Sequence, residues 1–150
     1  MEKAIEPTET SYGIVPLRRR RGAWEVFLIQ HRAGHWTLPK GHPEVGEMPL
    51  VTAKRELMEE TRLRCGKVLS MEPLSETYRF RRNGHLIVKQ ASYFLAEIEN
   101  EADGQPDGTE ITGALWCPFE MAYEQVTFPE TKAVLQRAHD QLQALRGDAS

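Results

Sequence analysis

No stretch of this chain is apolar over the roughly 20 residues that a helix needs to cross a bilayer, so a spanning helix is excluded. The N-terminal run MEKAIEPTET has no apolar core of the kind a secretory leader carries. Cysteine is scarce. Cys65 and Cys117 stand alone, with no C-x-x-C and no Cys/His metal spacing. That argues against a disulfide framework and a zinc site, and we expect two buried free thiols in a reducing, cytoplasmic setting. An excess of one charge is also missing. The formal net charge is −3 with 27% charged residues, so no global pull toward nucleic acid or a membrane surface is expected. Only the run Arg18-Arg19-Arg20-Arg21 leaves room for a local basic patch.

What remains is 150 residues, 40% of them apolar, enough for one self-sufficient core. No repeat, low-complexity tract or linker interrupts it. We expect a single domain over residues 11–146 between flexible ends at 1–10 and 147–150. Ser11 to Leu17 reads as a strand, Arg18 to Gly22 as a polar connection, and Trp24 to His31 as a second, buried strand. His35 to Gly46 is rich in Pro and Gly and reads as an ordered loop. Met48 to Thr61 predicts a helix, with Pro49 in its first turn and Leu50, Ala53, Leu57 and Thr61 on its apolar stripe.

Lys67 to Phe80 predicts one long or broken strand. Asn83-Gly84 signals a hairpin, and His85 to Ile98 returns as a strand. Glu99 to Thr109 reads as a loop and Ile111 to Trp116 as the last strand. Pro129 to Leu145 closes the chain as a helix, with Val134, Leu135, Ala138, Leu142 and Leu145 on one side. Strands and helices mixed in this way predict an α/β (α+β) class, a mixed sheet packed between helices in an α/β/α arrangement.

The chemistry lies on the first helix. At about 100° per residue, Glu56, Glu59 and Glu60 return to one face. Such crowding destabilises a bare helix by roughly tenths of a kcal/mol per pair. A hard divalent cation removes that cost, because Mg²⁺ prefers carboxylate oxygen. Taken alone, an acidic helix face is usually a solvated one.

The surroundings change that reading. Gly41, Glu47, Arg55, Glu56, Leu57, Glu59, Glu60 and Leu63 match G-x5-E-x7-R-E-U-x-E-E-x-G-U, where U is a bulky apolar residue. Chance agreement at these positions is on the order of 10⁻⁸ per starting point. This pattern resembles the signature of the Nudix family. The one departure is Arg62, where the family has Gly. A left-handed residue is convenient there, so Arg62 must accept that backbone or let the helix end otherwise.

The resemblance implies the Nudix fold and a hydrolase acting on acid anhydrides. It implies metal binding by Glu56, Glu59 and Glu60 with the Lys40 carbonyl, for Mg²⁺ or Mn²⁺. It implies a supporting Glu47–Arg55 ion pair that orients those ligands. Glu59 or Glu60 would serve as general base, and Glu110 is a candidate late carboxylate.

Outside the signature, His35-Trp36-Thr37-Leu38-Pro39-Lys40-Gly41-His42, Tyr93-Phe94-Leu95-Ala96-Glu97 and Phe128-Pro129-Glu130 are similar to the Nudix group that cleaves diadenosine tetraphosphate asymmetrically. That group's substrate needs several cations, and Lys40, His35 and Lys89 are the positions expected on its phosphates. Tyr78 and Phe128 are the candidates for stacking on a nucleobase, whereas Trp24, Trp36 and Trp116 read as core. The expected partner is a small nucleotide, acted on by a monomer or homodimer. Two other readings stand beside this one. The first is a pyrophosphohydrolase of 5′-triphosphorylated RNA or another nucleoside diphosphate derivative, for which the arginine run speaks. The second is a Nudix-fold binding module without catalysis, against which all four glutamates of the signature speak.

Overall fold

The middle stretches of the central strands are apolar on both faces, and the way they are covered explains why. The computed structural model describes residues 8–70 and 72–148. β1 (Glu9–Arg20), β2 (Ala23–His31) and β7 (His85–Ile98) lie at the middle of one mixed sheet. Along β2, Val26 and Leu28 enter one core while Phe27 and Ile29 enter another. Along β7, Tyr93 and Leu95 go one way, Phe94 and Ala96 the other. Successive side chains point to opposite faces, so a sheet covered on both sides is apolar throughout.

The covers are helical, as expected. α1 (Pro49–Thr61) lays Ala53 and Leu57 against Ile14, Phe27 and Phe94 on one face. On the other face, α2 (Phe119–Gln125) and α3 (Pro129–Asp148) contribute Phe119, Ala122, Val134, Leu135, Ala138 and Leu142. β1 and β7 pair in parallel from Glu9↔Lys89 to Leu17↔Glu97, with α1 in the long connection such a pair needs. β3 (Trp36–Thr37) and β8 (Ile111–Pro118) pair with β2. β4 (Lys40–Gly41) pairs with β1, and both β5 (Cys65–Val68) and β6 (Leu74–Arg82) pair with β7. A Cβ added at Gly13 would run into the Pro39 carbonyl and the Lys40 side chain. That close approach presses β4 onto the sheet beside α1.

Several boundaries differ from the sequence reading. β1 takes in Glu9 and Thr10, expected to be free, and Arg18, Arg19 and Arg20, expected to be a connection. Arg18 and Arg19 suit a strand because each meets a partner across the hairpin. Arg18 bonds Glu25 at 2.7 Å and lies 4.7 Å from the Trp116 ring centre, while Arg19 lies 4.5 Å over Trp24. The turn itself shrinks to Arg21-Gly22, both with positive φ. Asn83-Gly84 turns in the same way, as expected.

The segment from Lys67 to Phe80 is broken into β5 and β6, and β8 continues past Trp116 to Pro118. α2 was not foreseen, since it is one short helix with only Phe119 and Ala122 buried. α3 runs on to Asp148, and Leu145 is 47% exposed rather than on its buried stripe. In α1, Thr52 is fully buried while Leu50 is only partly so. Cys117 is buried, but Cys65 is only half-buried, and both are free thiols. The three tryptophans are partly buried against the two cores. Residues 1–7 and 149–150 of the expected flexible ends lie outside the described residues.

Arg62 takes the left-handed backbone, with φ 66° and ψ 4°, and its N–H bonds the Met58 carbonyl at 2.9 Å. A side chain in that conformation costs about 1 kcal/mol. Arg62→Gly is therefore expected to stabilise the protein by about 0.5–1 kcal/mol, read as a higher urea midpoint at unchanged slope.

Candidate active site

The acidic face of α1 is organised by one guanidinium. Arg55 forks onto Glu47, with Nε to Oε2 at 2.8 Å and Nη2 to Oε1 at 2.9 Å. Its Nη2 also donates to the His42 carbonyl at 3.0 Å. Its Nη1 reaches Glu56 at 2.9 Å and Glu59 at 3.2 Å. Paired parallel bonds of this kind fix orientation as well as distance. Glu47 further accepts the Thr52 hydroxyl at 2.7 Å and the Glu44 N–H at 3.0 Å, which explains why Thr52 can be buried. The bonds from Arg55, then Thr52 and Glu44, hold the Glu47 carboxyl down at about 2. The loop carrying His42 to Glu47 is thus strapped to the helix through charged groups.

Glu56 and Glu60 lie against β4. A Cβ at Gly41 would collide with the Glu56 carboxylate, so the glycine lets that acid approach the backbone. Lys40 N–H donates to Glu60 Oε1 at 3.3 Å. Glu60 Oε2 is buried and has no hydrogen-bond partner. Burial, and after it the charge of Glu56, push the Glu60 carboxyl up to about 8. Burial also raises Glu56, against the pull of Arg55. Glu59 stands apart, half-exposed and turned to Arg55.

Among the described residues, no three acidic, imidazole or thiol side chains are already drawn into one coordination sphere. The donors nevertheless fit a hard divalent cation. An orphaned buried carboxylate oxygen beside a second carboxylate is what such an ion satisfies.

The other expected residues form a row. His35 stacks on His31 at 4.4 Å between ring centres and leans on Phe128 at 5.5 Å. Phe128 meets Tyr78 edge-on at 6.2 Å. Burial and the Lys40 charge lower the His35 pKa, and burial, His35 and Lys40 lower that of His31. Lys89 sits opposite Tyr78 in the β6–β7 register, hence on the same face. Its ammonium lies 3.3 Å from Glu9 and 5.7 Å from the Phe80 ring centre. The Glu110 side chain is exposed, and its carbonyl accepts the Arg32 N–H at 2.8 Å.

Three residues near the site had not been singled out. Asp107 is the late acid whose charge reaches Glu60 and His31; a loop Asp carries no periodic signal. His31 ends β2, and nothing in its sequence set it apart from the rest of that strand. Glu76 is only 4% exposed, accepts the Tyr93 hydroxyl at 2.8 Å and keeps its other oxygen unpartnered. The alternation Leu74, Glu76, Tyr78 on one face of β6 was the signal that an acid points inward.

A profile described as "NUDIX domain" matches residues 7–138. The bis(5'-nucleosyl)-tetraphosphatase (asymmetrical) of Sus scrofa is 32% identical over 139 residues, 85% of this chain and 90% of that protein. Its Mus musculus counterpart is 34% identical over 121 residues, 77% of this chain and 78% of that protein. A crystal structure of a C. elegans Ap4A hydrolase binary complex superposes with a TM-score of 0.73 at 27% identity, covering 91% of this chain and 99% of that one. Nudix hydrolases generally use divalent metals and act on small nucleotide substrates. Among the described residues, no helix is long and apolar enough to cross a membrane.

The position of Glu60 has a consequence for stability. Unfolded, its carboxyl titrates near the ordinary value of 4.5. Below that value both states hold the proton and the group is neutral to folding. Between there and about 8 only the folded chain holds it, so stability falls as pH rises. Cation-free protein should therefore lose Tm between about pH 5 and about pH 8, and Glu60→Gln should flatten the slope. An equally steep slope in the variant would assign the titration to another group.

Proposed function

This chain belongs to the Nudix family of hydrolases, and on that premise we propose that it hydrolyses a phosphoanhydride bond of a dinucleoside polyphosphate, diadenosine tetraphosphate to ATP and AMP. The observation that carries the chemistry is the uncompensated Glu60 carboxylate, set beside Glu56 on α1 against the strand that bears Lys40. Glu56 and Glu60 would hold a divalent cation there, with the Lys40 carbonyl as a further oxygen donor. Glu59, exposed and 3.2 Å from Arg55, joins them by turning its side chain. Magnesium suits these donors by type and availability, and manganese by type. When bound, the cation neutralises phosphate oxygens and makes an adjacent water more acidic.

The chain's own residues do the rest. Arg55 and Glu47 keep the acids from splaying apart. Glu59 or Glu60 accepts the proton of the attacking water. Lys40, His35 and Lys89 bind the phosphates, which carry about four negative charges in a tetraphosphate bridge. Phe128 and Tyr78 offer one base an apolar, edge-to-face pair. The RNA reading loses support, because Arg18 and Arg19 are committed to Glu25, Trp116 and Trp24. The free thiols Cys65 and Cys117 suit a reducing compartment such as the cytoplasm.

Product analysis in oxygen-18 water with Mg²⁺ tests the reaction. ATP and AMP are expected, with one product labelled, and two molecules of ADP or no cleavage would refute it. Glu60→Gln should lower kcat by about a hundredfold or more with the fold intact; near-normal turnover would remove Glu60 from the chemistry. Lys40→Ala should raise KM for tetraphosphates more than for diphosphates, and equal losses would take Lys40 off the phosphate chain.

A further inference from the structure

A dinucleoside polyphosphate has two nucleosides, and the Phe128–Tyr78 pair accounts for one. We propose that the depression between the 31–35 turn and the start of β8 binds the other. This rests on the dinucleotide reading above and deepens it. The depression holds about 280 Å³ and is lined by His31, Arg32, Ala33, His35, Thr109 and Glu110. It lies close to the lower end of the range for small-molecule sites, roughly 300 Å³.

Its walls are already built. The turn is closed by His31 N–H to the His35 carbonyl at 2.9 Å and by Gly34 N–H to the His31 carbonyl at 2.7 Å. Arg32 N–H ties the turn to the Glu110 carbonyl at 2.8 Å. The opposite wall is held by Asp107, whose Oδ1 accepts the N–H groups of Thr109 at 2.7 Å and Ile111 at 3.0 Å. A pocket pinned on both sides binds without first having to order itself.

Its chemistry is that of a nucleoside site. His31 and His35 stack on each other, which leaves the outer face of the His31 ring as the flat surface, and bases stack on histidine rings. Burial and the nearby Lys40 hold both rings toward the neutral form, so the surface does not repel an adenine's polar edge with a full charge. The exposed Glu110 carboxylate and the Thr109 hydroxyl are suited to ribose hydroxyls. Arg32 adds a cation for the adjoining phosphate. Position agrees as well. His35 stands between His31 and Phe128, so the two nucleoside positions flank a residue assigned to the phosphates. Glu110 thereby gains a role that its exposure denies it in the chemical step.

The test compares diadenosine tetraphosphate with adenosine 5′-tetraphosphate, which keeps the phosphate chain and lacks the second nucleoside. Ala33→Trp fills the pocket from an exposed turn and removes no functional group. It should lower kcat/KM for the dinucleotide by about tenfold, the loss expected of one stacked base, and leave the mononucleotide's kcat/KM unchanged. Equal losses on both substrates, or none on either, overturn the proposal. A second measurement needs no turnover. Adenosine titrated into the wild-type protein should shift the His31 imidazole proton resonances in NMR, and should not do so in Ala33→Trp. Resonances that stay still in the wild type overturn the pocket. If they shift while neither tetraphosphate is cleaved, the pocket stands and the substrate reading of the preceding section falls.

Discussion

Glu56 and Glu60 repel each other, and the site exists because something holds them together. Arg55 restrains Glu56 from the solvent side, taking Glu47, Glu56, Glu59 and the His42 carbonyl with one guanidinium. Its reach of two parallel bonds to Glu47 is what a lysine at this position would lack. From the protein side, β4 closes on the same acids, with Gly41 leaving room for Glu56 and the Lys40 N–H bonding Glu60. Between these two restraints one carboxylate oxygen is left dry and unpartnered. A buried charge of that kind is costly unless it is protonated or met by a cation. On the proposed reading, protonation and cation binding compete at Glu60, and that one group would link folding stability to the chemistry.

The fold supplies the rigidity this requires. β4 cannot drift, because it is pressed on β1 at Gly13, and β1 is gripped by β2 on one side and β7 on the other. α1 cannot drift either, since Ala53 and Leu57 are fully buried against the sheet. Glu56, Glu59 and Glu60 thus ride on a helix whose opposite face is immobilised in a core. The expected activity needs such a platform, because catalysis of phosphoryl transfer is largely a matter of positioning and electrostatics.

The aromatic row extends the site away from this centre. His31, His35, Phe128 and Tyr78 come from four separate stretches: the end of β2, the turn after it, the lead into α3, and β6. His35, Tyr78 and Phe128 were expected at the substrate one by one and His31 was not, and the tertiary structure makes the four adjacent. The same holds for Glu76, an acid enclosed by Tyr93 and lying within electrostatic reach of Lys40.

The order of residues determined by itself whatever depends on neighbours a few positions apart. The turn at Asn83-Gly84, the buried strand from Trp24 to His31 and the acidic face of α1 are of this kind, since backbone sterics and the periods of strand and helix act locally. Arg18 and Arg19 show the limit. Their sequence says polar connection, and partners across a hairpin turn them into strand. Only the tertiary structure decided which carboxylate oxygen is stranded, which histidines stack, and that Asp107 rather than Glu110 is felt at Glu60. Burial and long-range charge are set by residues brought together from distant parts of the chain, and no local period encodes them.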